Sequence, residues 1–152
     1  MKTILKITAL LMILAMLPIG AFATEEKQEA TNIIYLENGD YITIELVSID
    51  SRATNTKTGS KIYRYKNSDG EEEWSATLTG TFSYTGSSAT CTASSVSVSI
   101  INDKWYTISK SASKSGAKAT GTVTMGRKWL GIKVDEETIN MTLTCSASGT
   151  LS

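Results

Sequence analysis

The fold class follows from one stretch, Trp74-Ser75-Ala76-Thr77-Leu78-Thr79-Gly80-Thr81-Phe82-Ser83-Tyr84. Apolar or small residues occupy every second position, and hydroxyl-bearing residues occupy the positions between them. Strict alternation of this kind predicts a β-strand with one buried face and one solvated face.

The period of two continues toward the C-terminus. Cys91 and Ala93 share one parity, whereas Val96 and Val98 share the other, which predicts a β-bulge near residues 94–95. The pattern then predicts a short strand at 105–109, a polar loop at 110–118 and an alternating strand from 119. A charged turn is expected at 135–137. In the last strand, four residues share the inward parity: Ile139, Met141, Leu143 and Cys145.

Before the deciding strand, two apolar runs over residues 33–47 flank Asn38-Gly39. Asn-Gly is a strong hairpin signal because a type I′ turn needs positive φ at its central residues. The polar stretch 51–60 reads as a linker. The hairpin can therefore pack on the main domain or stand partly apart.

Seven or more short strands and no sustained helical period after residue 23 predict an antiparallel β-sandwich. An immunoglobulin-like arrangement fits, with Trp105 between two cysteines, and a small closed barrel is the alternative. The expected organisation is a signal peptide at 1–23, an acidic leader and β-hairpin at 24–52, and the sandwich domain at 53–152.

The N-terminus has the three-part layout of a secretory signal. Lys2 and Lys6 precede an apolar run at residues 7–17, and the small residues Ala21 and Ala23 follow. Eleven apolar residues fall short of the roughly 20 that span a bilayer, so we expect cleavage after Ala23 and a released, extracellular protein. No stable membrane insertion is expected.

Cys91 and Cys145 are the only two cysteines. An even count in an exported domain predicts one disulfide, which would stabilise the fold by about 4 kcal/mol on the chain-entropy model.

The sequence gives no sign of an enzyme. It contains no histidine, which excludes Ser-His-Asp and Cys-His catalysis and imidazole-based zinc sites. The acidic clusters Glu71-Glu72-Glu73 and Glu136-Glu137 have no calcium-loop spacing, and successive strand residues point to opposite faces. We therefore expect no catalytic residue, metal or cofactor. Phosphate-binding loops and nucleic-acid motifs are also absent.

Charge suggests a partner. Residues 51–134 hold twelve Lys/Arg and five acidic residues, a net charge of +7, which could attract an anionic surface. The alternative is that scattered lysines keep strand edges from pairing. Trp129, flanked by Arg127 and Lys128, is the preferred candidate for an exposed binding aromatic, and Tyr63 and Tyr65 are weaker candidates.

Four segments carry a family resemblance: RATNTKTGSK at 52–61, LTGTFSY at 78–84, SASKSG at 111–116 and LTCSASG at 143–149. They resemble small secreted proteins of Gram-positive gut and clostridial bacteria that form a family of unknown function. The resemblance implies an extracellular bacterial β-domain with a disulfide and assigns no catalytic or binding residue.

Together these observations predict a secreted, non-catalytic binding or structural protein. The partner expected from charge and aromatics is a cell-wall polymer or surface glycan of the cell envelope. The alternative is a released bacteriocin-like or host-directed effector. Oligomeric state does not follow from the sequence.

Overall fold

The structure is a computed structural model that describes residues 26–50 and 55–152, with side chains for 32–49 and 55–152. The expected signal peptide and its cleavage site lie outside the described residues. The described chain forms eight strands: β1 (Glu26–Tyr35), β2 (Tyr41–Asp50), β3 (Thr56–Lys66), β4 (Glu72–Tyr84), β5 (Ala89–Ile100), β6 (Trp105–Ser115), β7 (Lys118–Trp129) and β8 (Ile132–Thr144). Within these ranges no helix is long and apolar enough to cross a bilayer.

The strands form two antiparallel sheets, one ordered β1-β2-β3-β4-β5 and the other β6-β7-β8. The all-β, two-sheet architecture predicted from the alternation is confirmed. Every hydrogen-bonded pair joins strands that are neighbours in the chain. The immunoglobulin-like arrangement requires Greek-key connections, so this part of the prediction is wrong.

The N-terminal hairpin belongs to the five-stranded sheet. The hairpin is present, but its β1–β2 turn has positive φ only at Gly39 (87°) and not at Asn38, so it is not the type I′ turn that the Asn-Gly signal predicts. Strand β2 pairs with β3 over its whole length, from Tyr41 opposite Lys66 to Asp50 opposite Lys57. From Thr56 onward, the stretch expected to be a linker is therefore the start of β3.

One hydrophobic core fills the space between the sheets. The inward residues of β4 from Trp74 to Phe82 are buried, and they face the inward residues of β7 and β8. The sheets pack closely at Gly121 of β7, where a Cβ would lie 2.5 Å from Cγ2 of Val96 on β5. Only a glycine fits this position without displacing its neighbours.

An aromatic cluster joins the sheets at one end of the core. The Tyr65 and Trp74 rings stack with centroids 5.3 Å apart, and the Trp105 ring of the other sheet lies 5.1 Å from Tyr65. Polar partners complete the cluster: the Tyr65 hydroxyl donates to Asp40 Oδ2 at 2.6 Å, and Trp105 Nε1 donates to Glu73 Oε2 at 3.0 Å. The third member of the cluster differs, because Trp74 Nε1 is buried without a hydrogen-bond partner among the described residues.

Three local predictions can be compared with the strands. The bulge is present, but it lies at Thr92, because Thr81 pairs with Ala93 and Phe82 with Cys91. The loop expected at 110–118 is wrong, since β6 continues to Ser115 as an exposed edge strand. The charged turn expected at 135–137 is also wrong, because these residues lie within β8.

Candidate functional site

The β7–β8 hairpin turns at Leu130-Gly131, where φ is 50° and 80°. Two successive residues of positive φ are the requirement of a type I′ turn, which normally places Asn, Asp or Gly at both positions. Leucine is a poor choice because its Cβ clashes in the left-handed region, at a cost of about 1–2 kcal/mol. The stability of the turn alone would therefore select Asn, Asp or Gly at position 130, and not leucine.

The end of this hairpin projects beyond the rest of its sheet. Neighbouring β6 begins at Trp105, opposite Arg127, and the buried part of β8 begins only at Ile139. We call residues 128–134 the hairpin tip. Its apolar side chains are exposed, at 56% for Trp129, 89% for Leu130, 71% for Ile132 and 57% for Val134.

Cations surround the base of the tip. Lys104 Nζ lies 5.1 Å from the ring centroid of Trp129, and Lys128 Nζ lies 4.3 Å from that of Tyr106. Arg127 Cζ is 6.0 Å from the Trp105 ring. Cation–π contacts hold these charges at the protein surface while leaving their remaining hydrogen-bond donors available to a partner.

The cations lie nearer the turn than the acidic residues do. Along the hairpin, the pair Trp129–Ile132 is followed by the pair Lys128–Lys133, and only then by Arg127 opposite Asp135. Lys133 forms an ion pair with Glu136. A partner that approaches the turn thus meets apolar side chains first and lysines next.

The structure brings together three of the five candidate binding residues. Trp129, Arg127 and Lys128 lie on this hairpin, and Trp129 is exposed as expected. Tyr63 and Tyr65 are instead buried, at 7% and 1% exposure, so they are not surface platforms. They pair with Ala76 and Trp74 and share the inward face of the sheet, a fact that the charges beside them in sequence concealed.

Comparisons of the chain with protein-family models, with curated proteins and with solved structures found no match.

Sequence reasoning missed Leu130 as part of the site. The alternation of Leu130, Ile132 and Val134 indicated a strand that continues to the charged turn expected at 135–137. The available signal was Gly131, which follows Leu130 directly.

Lysines on β6 have a different role from those of the hairpin. Lys110 and Lys114 pair with Val123 and Ala119, two inward residues of β7, so both lysines share the inward face of an edge strand. Lys114 Nζ donates to the Thr92 carbonyl oxygen of the opposite sheet. Inward-pointing charges on an edge strand oppose edge-to-edge pairing. Part of the basic charge of residues 51–134 therefore lies on an edge strand and not at the β7–β8 hairpin.

A concavity opens between the first three strands and β8. Its volume is about 320 Å³, and it is lined by Ile34, Leu36, Ile42, Tyr63, Glu137, Thr138, Ile139 and Asn140. Burial, together with the charge of Asp135, raises the pKa of the Glu137 carboxyl above its ordinary value. The described lining of the concavity contains one acidic residue, Glu137, and no cation, so the concavity does not suit the anionic partner that the charge distribution predicts.

The two cysteines are buried free thiols, so the predicted disulfide is not present. Cys91 Sγ lies 3.2 Å from the carbonyl oxygen of Ala93, and Cys145 Sγ lies 3.4 Å from that of Ser146. Each thiol is directed at its own stretch of chain, a geometry that an even cysteine count cannot reveal. Burial raises both pKa values, which disfavours the reactive thiolate.

In the described part of the chain, no three His, Cys, Asp or Glu side chains are placed to hold a metal ion together.

Proposed function

We propose that the protein is a secreted, non-catalytic binding protein that contacts an anionic component of the cell envelope. The observation that carries this proposal is the hairpin tip, where exposed apolar side chains are backed by Lys104 and Lys128, beside Lys133 in its ion pair with Glu136. Cations so placed attract an anionic surface and orient the protein toward it.

An anionic surface fits the tip better than a neutral glycan does. A sugar would stack on a face of the Trp129 ring, and Lys104 lies over one of its two faces. The neighbouring side chains Leu130 and Ile132 are aliphatic and offer no hydrogen bond to a hydroxyl group. The tip therefore combines charge attraction with apolar contact.

Co-sedimentation tests the proposal. Protein purified from the medium of a secreting host is mixed with Gram-positive cell envelopes that retain wall and membrane, at low and at high salt. We expect pelleting at low salt and release at high salt, because exposed charges are screened within about 10 Å at 0.1 M salt.

Matched charge variants locate the contact. Lys128→Gln removes a cation of the tip and should weaken low-salt binding about fivefold, since a lysine near an anionic surface contributes about 1 kcal/mol. Lys110→Gln removes an equal charge from β6 and should leave binding unchanged. Absence of pelleting at both salt concentrations, or equal losses in the two variants, would overturn the proposal.

A further inference from the structure

We propose that the anionic component is a lipid bilayer, and that the hairpin tip inserts Leu130 and Trp129 at the boundary between headgroups and acyl chains. This inference rests on the proposed function and adds the identity of the partner. The attachment is peripheral and reversible, because only the end of a single hairpin inserts.

Leu130 combines an exposed apolar side chain with an unfavourable backbone conformation. Its side chain is 89% exposed, and its backbone adopts the φ of 50° that leucine disfavours. Both features are unfavourable in water, and an asparagine at this position would relieve both. Strain held at a single exposed position indicates that the side chain is used, here by an apolar environment that buries it.

The order of residue types along the hairpin carries the second step. Leucine stands at the turn, tryptophan follows, and Lys128 and Lys133 come next on the two strands. A bilayer presents its layers in the same order, from acyl chains through the interface, which tryptophan prefers, to anionic phosphates that pair with lysine.

Dimensions agree with this order. Strand residues rise about 3.4 Å each, so the turn lies about 5–7 Å beyond the Lys128–Lys133 pair. Interfacial protein segments bury their apolar face about 5–10 Å into the headgroup and acyl boundary. Leu130 can therefore reach the acyl chains while both lysines stay at the phosphates.

The tip contains its own reporter. The chain has three tryptophans, of which Trp74 and Trp105 are 0% and 3% exposed and Trp129 is 56% exposed. A change of tryptophan emission on binding therefore reports on residue 129. With vesicles of phosphatidylglycerol and phosphatidylcholine in equal parts, we expect a blue shift and protection from acrylamide quenching. Vesicles of phosphatidylcholine alone should produce much less of either.

Leu130→Asn is the decisive variant because it separates folding from binding. Asparagine suits the turn, so the melting temperature should stay the same or rise. Partitioning onto the mixed vesicles should fall about tenfold or more, because the largest inserted aliphatic side chain is lost. Ile49→Thr is the matched control: Ile49 is 42% exposed on β2 and pairs with Thr58, at the opposite end of β3 from Tyr65 and the aromatic cluster, and its loss should leave partitioning unchanged.

Lipid-free cell walls separate this inference from the proposed function. Binding to mixed vesicles that Leu130→Asn removes supports the inference. Salt-sensitive binding to washed walls without vesicle binding would overturn it and keep the proposed function. Binding to neither would overturn both. A concentration-dependent dimer that Leu130→Asn dissociates, without vesicle binding, would also overturn it and assign the tip to self-association.

Discussion

Substitution of Gly121 by alanine tests how closely the two sheets pack. The added Cβ would lie 2.5 Å from Val96 Cγ2, which is closer than carbon atoms approach in folded proteins. It would also lie 3.1 Å from Met141 Cε and 3.3 Å from Leu78 Cδ1. Because Val96 belongs to one sheet and Gly121 to the other, the contact exists only if these strands face each other.

The expected magnitude combines two opposing terms. Overpacking a core costs about 1–3 kcal/mol. Replacing glycine by alanine restricts the unfolded chain and offsets about 0.4–1 kcal/mol of this cost. We therefore expect Gly121→Ala to lower the free energy of unfolding by about 1–2 kcal/mol.

A double-mutant cycle with Val96→Ala isolates the contact. The Val96→Ala variant removes the clashing methyl group and should by itself cost about 1–2 kcal/mol. In that background Gly121→Ala should be nearly neutral, because the remaining neighbours, Met141 Cε and Leu78 Cδ1, are side-chain ends that can shift. The coupling energy should thus be about 1–2 kcal/mol.

Urea unfolding of the four proteins, followed by fluorescence, measures the cycle, provided that the dependence on denaturant stays the same. An equal cost of Gly121→Ala in both backgrounds would show that the two residues do not meet. A stabilising Gly121→Ala would show that the sheets lie farther apart than described.

Three further predictions concern polar groups and thiols. Tyr65→Phe should lower the free energy of unfolding by about 1.5–3 kcal/mol, because the hydroxyl donates to a buried carboxylate; urea titration checks this, and an unchanged midpoint would contradict it. Burial, and next the hydrogen bond to Asp40, raise the pKa of Tyr65 well above its ordinary value of 10.0. Above about pH 10 this tyrosine therefore ionises in the unfolded state but not in the folded one, and the wild type should lose stability as the pH rises. The Tyr65→Phe protein should lose less over the same range, and parallel pH profiles would refute the assignment. Glu73→Ala should cost about 2–3 kcal/mol, because its carboxylate accepts from Trp105 Nε1 and two asparagine amides, and a smaller loss in Glu73→Gln would show how much depends on charge. Thiol titration should find two reactive groups in the denatured protein and slow reaction in the native one, whereas a mass about 2 Da below the reduced value would reveal a disulfide between Cys91 and Cys145.

Much of the sheet structure could be predicted from alternation alone. The period of two over residues 74–84 arises because one face meets the core, and burial in β4 follows it except at Ser75, which is buried on the outward parity, and Tyr84, which is only partly buried. The parity change between Cys91 and Val98 likewise required an extra residue, which the structure places at Thr92. Where one face of a strand is buried, the alternation of apolar and polar residues therefore predicts the strand.

Exposed elements were harder to predict because nothing apolar marks them. Strand β6 is exposed from Ile108 to its end, so its serines and lysines read as a loop although they pair with β7. The predicted exposure of Tyr63 and Tyr65 is wrong for the opposite reason. Their charged neighbours in sequence lie on the outward face and suggested that the two tyrosines are exposed as well. Pairing partners, which decide both cases, are not visible in a single sequence.

The charged and aromatic residues of the candidate site could be predicted from the sequence, but the position of its turn could not. Arg127, Lys128 and Trp129 stood out as a basic and aromatic run, but the position of the turn did not. A leucine at a left-handed turn position contradicts the usual turn chemistry, so the run appeared to continue as a strand. Such violations of local preference are expected where function outweighs stability.

The sequential order of the strands has a consequence for how the chain acquires its structure. Each hairpin can close as soon as its second strand is available, because no ladder waits for a distant segment. Low sequence separation between paired residues speeds folding, and only the meeting of the two sheets joins distant parts of the chain. The single proline, Pro18, precedes all eight strands, so none of them is delayed by prolyl isomerisation. A chain delivered unfolded, N-terminus first, could thus assemble progressively as it emerges: the five-stranded sheet can pair first, and β7 and β8 complete the core when they follow.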